Sequence, residues 1–285
     1  MKLKRIVFTM ITASFIVGNS IAAHAGVPLN NLEGVGGVAF NPLAYTAGTD
    51  FDAAEKTPGI STTIKDVVRK PQFGLWYVRL NRTKIDWNAE SVATTLFDRL
   101  EVSYGNEIVA LDGGQNIHKG STGLKALLVK ENDWDTKWVP AVSVGTIYKQ
   151  TSFQTGNDVD KNGYDYYAVA TKLITQLPKP VLLSGGILST NSRTTGVLGF
   201  DKKRDTTWFA NIDVLPLKDL AVGFEYKQGA DFGTAYKNSN DWDAHLAWFA
   251  NKNLTLVAAY VNAGNQKGTK NGLGDGFVLS AQYAF

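Results

Sequence analysis

The chain of 285 residues contains no cysteine, only two methionines and three histidines, and only 19% charged residues. Without cysteine there is no disulfide, no thiolate chemistry and no lipid-anchored residue of the bacterial lipoprotein type. After the amino-terminal segment, no stretch approaches the roughly 18 consecutive apolar residues that a transmembrane helix requires. Stability must therefore come from burial and from backbone pairing.

Glycine and aromatic residues are abundant, with 28 glycines, seven tryptophans, eleven tyrosines and fourteen phenylalanines. This mixture favours strands and tight turns over helices, and the hydrophobic content of 44% excludes a disordered chain. We therefore expect an all-β protein.

The first 25 residues have the composition of a secretory signal peptide. Lys2, Lys4 and Arg5 precede an apolar run over residues 6–17, and Ala23 and Ala25 form a small-residue cleavage site. An apolar run of about 12 residues is too short to cross a bilayer as a helix. We predict a signal peptide over residues 1–25 and a mature chain over 26–285. The three basic residues account for the whole formal excess of +3, so the mature chain offers no basic surface for nucleic acid.

Apolar and polar side chains alternate with period two at many places in the mature chain, for example from Leu220 to Tyr226 and from Asp241 to Trp248. In a strand this pattern gives one oily and one polar face. Between the strand-like runs, short turn-rich gaps alternate with long polar gaps. This asymmetry is typical of an antiparallel up-and-down transmembrane β-barrel with short periplasmic turns and longer external loops. We therefore predict the outer membrane of a Gram-negative bacterium.

We predict about twelve strands, and ten or fourteen also fit because the first two are poorly patterned. Residues 46–70 are predicted as an outer loop, a lumen plug or a short helix in the lumen. The twelve predicted strands lie near residues 35–45, 71–81, 95–105, 121–131, 138–149, 164–175, 180–190, 206–215, 218–228, 241–250, 254–263 and 275–285.

The polar faces of these strands should line the lumen, because Lys or Arg facing lipid at the bilayer midplane costs about 2–4 kcal/mol. The predicted lumen-lining residues are Arg99, Glu101, Asp213, Glu225, Lys227, Asp243 and His245. Charges of both signs predict no strong ion preference. Aromatic rings near strand ends should lie at the headgroup level: Trp134, Trp138, Tyr148, Tyr164, Tyr167, Trp208, Tyr226, Trp242, Trp248, Tyr260 and Tyr283.

The last strand alternates up to the carboxyl terminus, with Phe277, Leu279, Ala281, Tyr283 and Phe285 on one face. It resembles the terminal strand of bacterial outer-membrane proteins. That resemblance implies an assembly signal at Phe277, Leu279, Tyr283 and Phe285 that the barrel-assembly machinery reads.

The glycine-rich stretch from Gly26 to Tyr45 contains Gly34-Val35-Gly36-Gly37 and Asn41-Pro42. It resembles domain of unknown function 3034, an uncharacterised proteobacterial family of outer-membrane barrels. The resemblance implies a single domain covering nearly the whole mature chain, with no assigned activity. Residues 127–148 and 167–188 are more weakly similar to outer-membrane barrels linked to exopolysaccharide export, which are often anchored through a cysteine that this chain lacks.

Residues 157–163 contain Asp-x-Asp-x-Asn-Gly, the oxygen-rich start of a calcium loop, without the glutamate that closes such a loop. Asp158, Asp160 and Asn162, with the carbonyl of Tyr164, form a hypothetical weak Ca²⁺ site, and a polar outer turn is the alternative. No other cofactor is predicted.

Two further clusters suggest partners or chemistry. Lys202, Lys203 and Arg204 lie in a predicted outer loop, where they could pair with lipopolysaccharide phosphates or be solvated. Asp243 and His245 form an acid–base pair, but the chain has no Gly-x-Ser-x-Gly or His-Glu-x-x-His spacing, so no enzyme is predicted. The first functional hypothesis is a narrow passive channel for small solutes. The alternative is a non-conducting structural or export-accessory barrel, with polysaccharide traffic as one setting and an unidentified partner.

Overall fold

The computed structural model describes residues 29–50, 67–114, 116–234, 236–264 and 270–285. Twelve antiparallel strands form one closed barrel, and the two-residue strands Lys237–Asn238 and Lys270–Asn271 form a separate small sheet. The barrel strands are β1 (Gln72–Leu80), β2 (Ile85–Leu96), β3 (Leu100–Ala110), β4 (Ile117–Val129), β5 (Ala141–Thr151), β6 (Asn162–Ile174), β7 (Val181–Ser192), β8 (Phe200–Leu217), β9 (Leu220–Lys227), β10 (Asp241–Phe249), β11 (Leu254–Asn262) and β12 (Asp275–Ala284).

Each barrel strand pairs with its neighbours in the sequence, and the first strand closes on the last. The β1–β12 pairing runs in register from Gln72 opposite Ala284 to Leu80 opposite Gly276. Closure pairs every strand on both sides, so no backbone edge of the sheet meets lipid. The predicted all-β up-and-down barrel of twelve strands is confirmed. Among the described residues, no helix is long and apolar enough to span a membrane.

Connections at the two ends of the barrel differ in length. The end that carries both chain termini of the barrel has short turns at residues 97–99, 218–219 and 250–253, whereas the other end has loops at 152–161, 228–240 and 263–274. Short turns lie on the periplasmic side of outer-membrane barrels, so the long loops are external. The connection at 130–140 is the one longer periplasmic loop among the described connections, and it includes a 3₁₀ turn at Asp133–Asp135.

Two predicted strands are wrong, although the number of strands is right. Residues 35–45 form no barrel strand and lie inside the lumen, where their pairing is limited to isolated bridges such as Gly37 with Pro42. The predicted strand at 95–105 spans the turn between β2 and β3, and β2 itself was not predicted. In β2 the large apolar side chains, such as Trp87, face inward and the polar ones face outward, which is the reverse of the pattern that identifies a lipid-facing strand.

The outer face of the barrel is apolar and aromatic over most of its circumference. Trp208 stacks near Tyr226 with ring centroids 4.7 Å apart, and Trp242 lies 5.6 Å from Tyr260 towards the external end. At the periplasmic end Phe285 contacts Phe73 at 5.4 Å. Trp208, Tyr226, Trp242 and Tyr260 thus lie on the outer face, whereas Tyr167, also predicted at the headgroup level, is 4% exposed and points into the lumen.

Candidate functional site: a lumen filled by the inner segment

Residues 29–50, here called the inner segment, lie inside the barrel and contact its wall. Most residues of this segment are buried, and Asn30, Asn41 and Ala44 are 0% exposed. The barrel therefore encloses a folded-back piece of its own chain in addition to wall side chains.

Asn30 fixes the beginning of the inner segment to β1 and β12. Its backbone N–H donates to Gln282 Oε1 at 2.9 Å, and its side-chain oxygen accepts from Gln72 Nε2 at 2.6 Å. The indole N–H of Trp76 donates to the Asn30 carbonyl at 2.9 Å. These bonds satisfy polar groups that would otherwise be buried without partners.

Lys125 and Glu101 hold the middle of the segment by its backbone. The Lys125 ammonium lies 2.8 Å from the Glu101 carboxylate and donates to the carbonyls of Gly36, Leu43 and Tyr45 at 2.9, 3.2 and 2.7 Å. Glu101 accepts from the N–H groups of Gly36 and Ala47 at 2.9 and 2.8 Å. A Cβ at position 36 would lie 2.7 Å from Glu101 Oε2 and 2.9 Å from Lys125 Nζ, so any other residue there would displace the ends of both side chains.

Glu33 places a carboxylate of the inner segment between two wall lysines. Its Oε1 lies 2.9 Å from Lys119 Nζ and also pairs with Lys149. Lys119 is further paired with Glu107 at 2.8 Å, and Lys149 with Asp165 at 2.6 Å. Burial alone would raise the pKa of Glu33, but the attraction of Lys119 and Lys149 outweighs it and lowers the pKa to about 2. Glu33 is therefore ionised at neutral pH.

A second charged arc, on β8 to β10, is acidic. Glu225 Oε2 accepts from the N–H groups of Ala39 and Phe40 at 3.1 and 3.0 Å. Beside it, His245 lies between two carboxylates, with Nδ1 2.7 Å from Asp243 Oδ1 and Nε2 2.8 Å from Asp213 Oδ1. The wall thus presents lysines on β4 and β5 and carboxylates on β8 to β10, and the inner segment meets both.

The external end of the lumen is covered by residues 193–199, which connect β7 and β8. The carbonyl of Thr195 accepts from Lys119 Nζ at 2.9 Å, and the carbonyl of Val197 accepts from the Thr151 hydroxyl at 3.0 Å. Among the described residues, the lumen contains a void of about 90 Å³ near Glu33 and Lys149 and one of about 110 Å³ near His245 and Trp76. Both are polar enough and large enough to hold water.

The structure places most of the predicted lumen residues inside the barrel. Their side chains are buried or line a lumen void: Glu101, Asp213, Glu225, Lys227, Asp243 and His245. Arg99 is a wrong prediction, because it lies exposed in the periplasmic turn 97–99 and donates to the carbonyls of Leu127 and Leu128 at 3.1 and 3.0 Å. The alternation of apolar and polar residues begins at Arg99, one residue before β3 begins at Leu100.

The charged lumen residues that sequence reasoning missed include Glu33 of the inner segment and several on the wall: Glu107, Lys119, Lys125, Lys149 and Asp165. On β4 the opposite, outward face carries His118, Gly120 and Thr122, so the strand lacks the oily alternation that would have marked Lys119 and Lys125 as inward. A signal was present in the spacing of the two lysines, six residues apart and therefore on one face of a strand.

Other predicted segments fall partly or wholly outside the described residues. The predicted signal peptide at 1–25 lies outside them, as do residues 51–66 of the predicted loop or plug at 46–70. Of that region, residues 46–50 belong to the inner segment, and Lys70 forms an isolated bridge with Thr49.

The predicted calcium residues do not converge on one point. The Asp160 carboxylate accepts from Lys202 Nζ at 2.7 and 2.8 Å, Asp158 is solvent-exposed, and Tyr164 faces outward and stacks near Tyr148 at 4.9 Å. Within the described ranges, no group of three or more His, Asp or Glu side chains is arranged to hold a metal ion. Weak calcium binding stays a prediction that would require displacing Lys202.

The cationic cluster in the external part of β8 is also engaged within the chain. Lys202 pairs with Asp160, and Arg204 donates to the Ser189 carbonyl at 2.6 Å while its guanidinium lies 4.9 Å from the Tyr166 ring centroid. Lys203 is solvent-exposed. Lipopolysaccharide binding there stays a prediction.

Comparison with known proteins identifies the family. A model described as "Protein of unknown function (DUF3034)" matches residues 26–282. The chain belongs to the DUF3034 family. No curated protein sequence matches the chain significantly.

The fold of this DUF3034 protein is similar to solved outer-membrane barrels. The KdgM porin shares 13% identity at a TM-score of 0.52, with 75% of this chain and 99% of that chain covered. The NanC porin shares 10% identity at 0.50, with 75% and 98% covered. The outer membrane protein Omp33 of Acinetobacter baumannii shares 11% identity at 0.46, with 77% and 100% covered. The DUF3034 chain therefore has the closed β-barrel fold of the KdgM and NanC porins.

Proposed function

We propose that this protein is a narrow passive channel for small solutes and that the inner segment closes its lumen in this structure. The observation that carries the proposal is the chemistry of the contact between segment and wall. Lys125, Glu101 and Glu225 hold the segment through its backbone N–H and carbonyl groups. Water can replace such hydrogen bonds at modest cost, so the segment can leave a wall that stays polar and wettable.

The expected solutes are small and polar. Barrels of eight strands are filled by side chains, whereas those of 16 to 18 strands leave an aqueous channel, so twelve strands provide an intermediate lumen. The lysine arc and the acidic arc would both face a passing solute. A lumen with both signs of charge orients polar molecules without strongly selecting one sign of ion. The likeness to the KdgM and NanC porins supports the fold on which this proposal stands.

One observation favours the alternative of a non-conducting accessory barrel. The lumen is closed from within by the inner segment and externally by residues 193–199, and voids of only about 90 and 110 Å³ remain. On that alternative the inner segment is a permanent core and partners bind at the loops. No enzymatic activity is proposed, because the His245 cluster presents carboxylates on both ring nitrogens and uses them in buried ion pairs.

Single-channel recording on purified, reconstituted protein tests the proposal with three forms of the chain. The first is the unaltered protein, expected to show brief openings. The second lacks residues 29–50 and is expected to show sustained, larger conductance steps. A refolded deletion variant that inserts into the bilayer and stays silent would contradict the channel and support the accessory barrel.

The third form locks the inner segment in place. The Ser143 hydroxyl donates to the Ala44 carbonyl at 2.6 Å, so the pair Ala44→Cys and Ser143→Cys joins segment and wall in a chain otherwise free of cysteine. Openings should disappear on oxidation and return on reduction, whereas Ala44→Cys alone should not respond. Unchanged openings in the oxidised, gel-verified disulfide form would show that conduction does not depend on this segment.

A further inference from the structure

The outer face of β2 and the middle of the outer face of β3 carry polar side chains, in contrast to the oily outward faces of the adjacent β1 and β12. Asn88 and Glu90 point outward from the middle of β2, and Asn106 points outward from β3 and donates to Glu90 Oε1 at 3.1 Å. Among the described residues, Glu90 is the one charged side chain near the midpoint of an outward strand face.

The register shows that this polar group lies within the hydrocarbon layer. Glu90 is paired across the sheet with Leu75, which lies between the outward aromatic residues Phe73 and Tyr77 on β1. Leu75 is in turn paired with Ala281, between Phe277 and Tyr283 on β12. Glu90 is the sixth of the twelve residues of β2 and Leu75 is the fourth of the nine residues of β1, so Glu90 and Asn106 lie near mid-height of the barrel wall, at the depth of Leu75.

A shifted register cannot place these polar groups inside. Strands β1 and β2 turn Trp76 and Trp87 inward, where their indole N–H groups donate to the Asn30 carbonyl and to Glu107 Oε2 at 2.9 and 3.0 Å. A slip of one residue would expel both tryptophans and break both bonds. The outward position of Asn88 and Glu90 is therefore fixed by contacts in the lumen.

The polar group lies in a shallow depression of the outer surface, with a volume of about 820 Å³. Its remaining walls are large apolar side chains of β1 and of β10 to β12, of which Leu75, Trp248 and Leu279 are 58, 50 and 50% exposed. An apolar depression with a central polar group is typical of a protein interface rather than of a lipid contact.

We propose that this depression binds a second copy of the same chain across a two-fold axis along the membrane normal. A partner must offer hydrogen-bonding groups at this depth, where lipid-facing surfaces of other proteins rarely have them. A second copy has them by symmetry, because both copies span the same bilayer in the same orientation. The polar group is also self-complementary, because the second Glu90 oxygen of one copy can accept a hydrogen bond that the Asn88 amide of the other copy donates.

Disulfide trapping in native outer membranes tests the proposal directly, because the chain contains no cysteine. Asn88→Cys is expected to give a cross-linked product of twice the monomer mass on mild oxidation. The matched control is Ile187→Cys, which is 56% exposed on β7, on the opposite side of the barrel. Trapping at position 88 that does not exceed the control, or a product of any other mass, would overturn the proposal.

Removing the polar group provides a second test that does not depend on cysteine geometry. The variant with Asn88→Leu, Glu90→Leu and Asn106→Leu should fold at least as well, because it makes the face more lipid-like. Its dimer dissociation constant in detergent, measured by light scattering, should rise about tenfold or more. Thr122→Leu, an outward polar residue of β4 outside the depression, should leave it unchanged. An unaltered protein that is monomeric, or a folded triple variant that dimerises equally well, would refute the interface.

Discussion

At the scale of single residues, the charged side chains of the lumen are paired with each other or with the backbone of the inner segment. Glu33 is the clearest case, because one carboxylate of the segment meets Lys119 at 2.9 Å and also contacts Lys149. Removing one partner from such a buried cluster leaves uncompensated charge, so single substitutions here should have large effects.

Replacing Glu33 with glutamine should weaken docking of the inner segment and make it less sensitive to acid. The folded-state pKa is about 2 against an ordinary 4.5, so ionised Glu33 stabilises docking fully above pH 4.5 and this contribution is lost as the pH falls towards 2. A displacement of that size corresponds to about 3 kcal/mol of docking free energy. Open probability of the unaltered protein should rise over this pH range. The same acid response in Glu33→Gln would contradict the assignment.

Replacing His245 with leucine should destabilise the barrel, because the carboxylates of Asp213 and Asp243 would then face each other without the imidazole between them. Loss of one partner from a buried charged group costs about 3–5 kcal/mol. Urea unfolding followed by gel mobility measures the change. His118→Leu is the matched control, since His118 is exposed on the outward face of β4 and should change stability little. Equal stability of the two variants would show that the His245 cluster contributes nothing.

At the scale of secondary structure elements, the sequence predicted the strands with an oily outward face and failed where that face is polar. The alternation of β9, β10 and β12 is regular, and these strands were placed within a few residues. Strand β2 escaped because its outward residues include Asn88 and Glu90. A polar outward face on β2 is expected only if something other than lipid covers it. The periodicity of a single strand does not show what covers its outward face.

The position of the inner segment inside the lumen was not predicted, for a different reason. Residues 35–45 are buried on all sides, so their composition resembles a strand although their backbone bonds go to side chains of the wall. Which wall residues receive them depends on contacts between positions up to 252 residues apart, such as Asn30 with Gln282. Local pattern contains no information on pairings of that range.

Removal of Phe285 should lower the yield of assembled barrel without preventing the fold of molecules that do insert. The ring contacts Phe73 and Tyr283 at 5.4 and 5.0 Å, and the Phe285 carbonyl accepts from the Thr49 hydroxyl at 2.7 Å. These contacts join the last residue to β1 and to the inner segment at the seam of the barrel. Quantifying the folded band in outer-membrane fractions tests this. Phe285→Tyr, which keeps an aromatic ring, should assemble normally. If the truncated chain assembles as well as the full chain, Phe285 is not part of an assembly signal.

At the scale of the whole molecule, the strands close the barrel wall, and the inner segment fills the lumen. The β1–β12 pairing closes the sheet through nine residue pairs and does not involve the inner segment. The alternating strands and the short and long connections were sufficient to predict this closure, because a membrane-spanning sheet must satisfy all its backbone groups internally. How the lumen is filled was not predictable, because either water or protein can satisfy a polar wall.

The chain that lacks residues 29–50 should therefore still form a closed barrel, but a less stable one. Unheated samples in detergent gels should keep the faster mobility of a folded barrel, since the wall pairing is intact. The temperature at which this band converts to the unfolded one should fall, because the bonds from Lys125, Glu101 and Glu225 to the segment are lost. Exposure of these charges to lumen water limits the loss. If the deletion variant shows no folded band under conditions that refold the full chain, the inner segment is part of the folding core, and the proposal of a segment that can leave an intact channel fails.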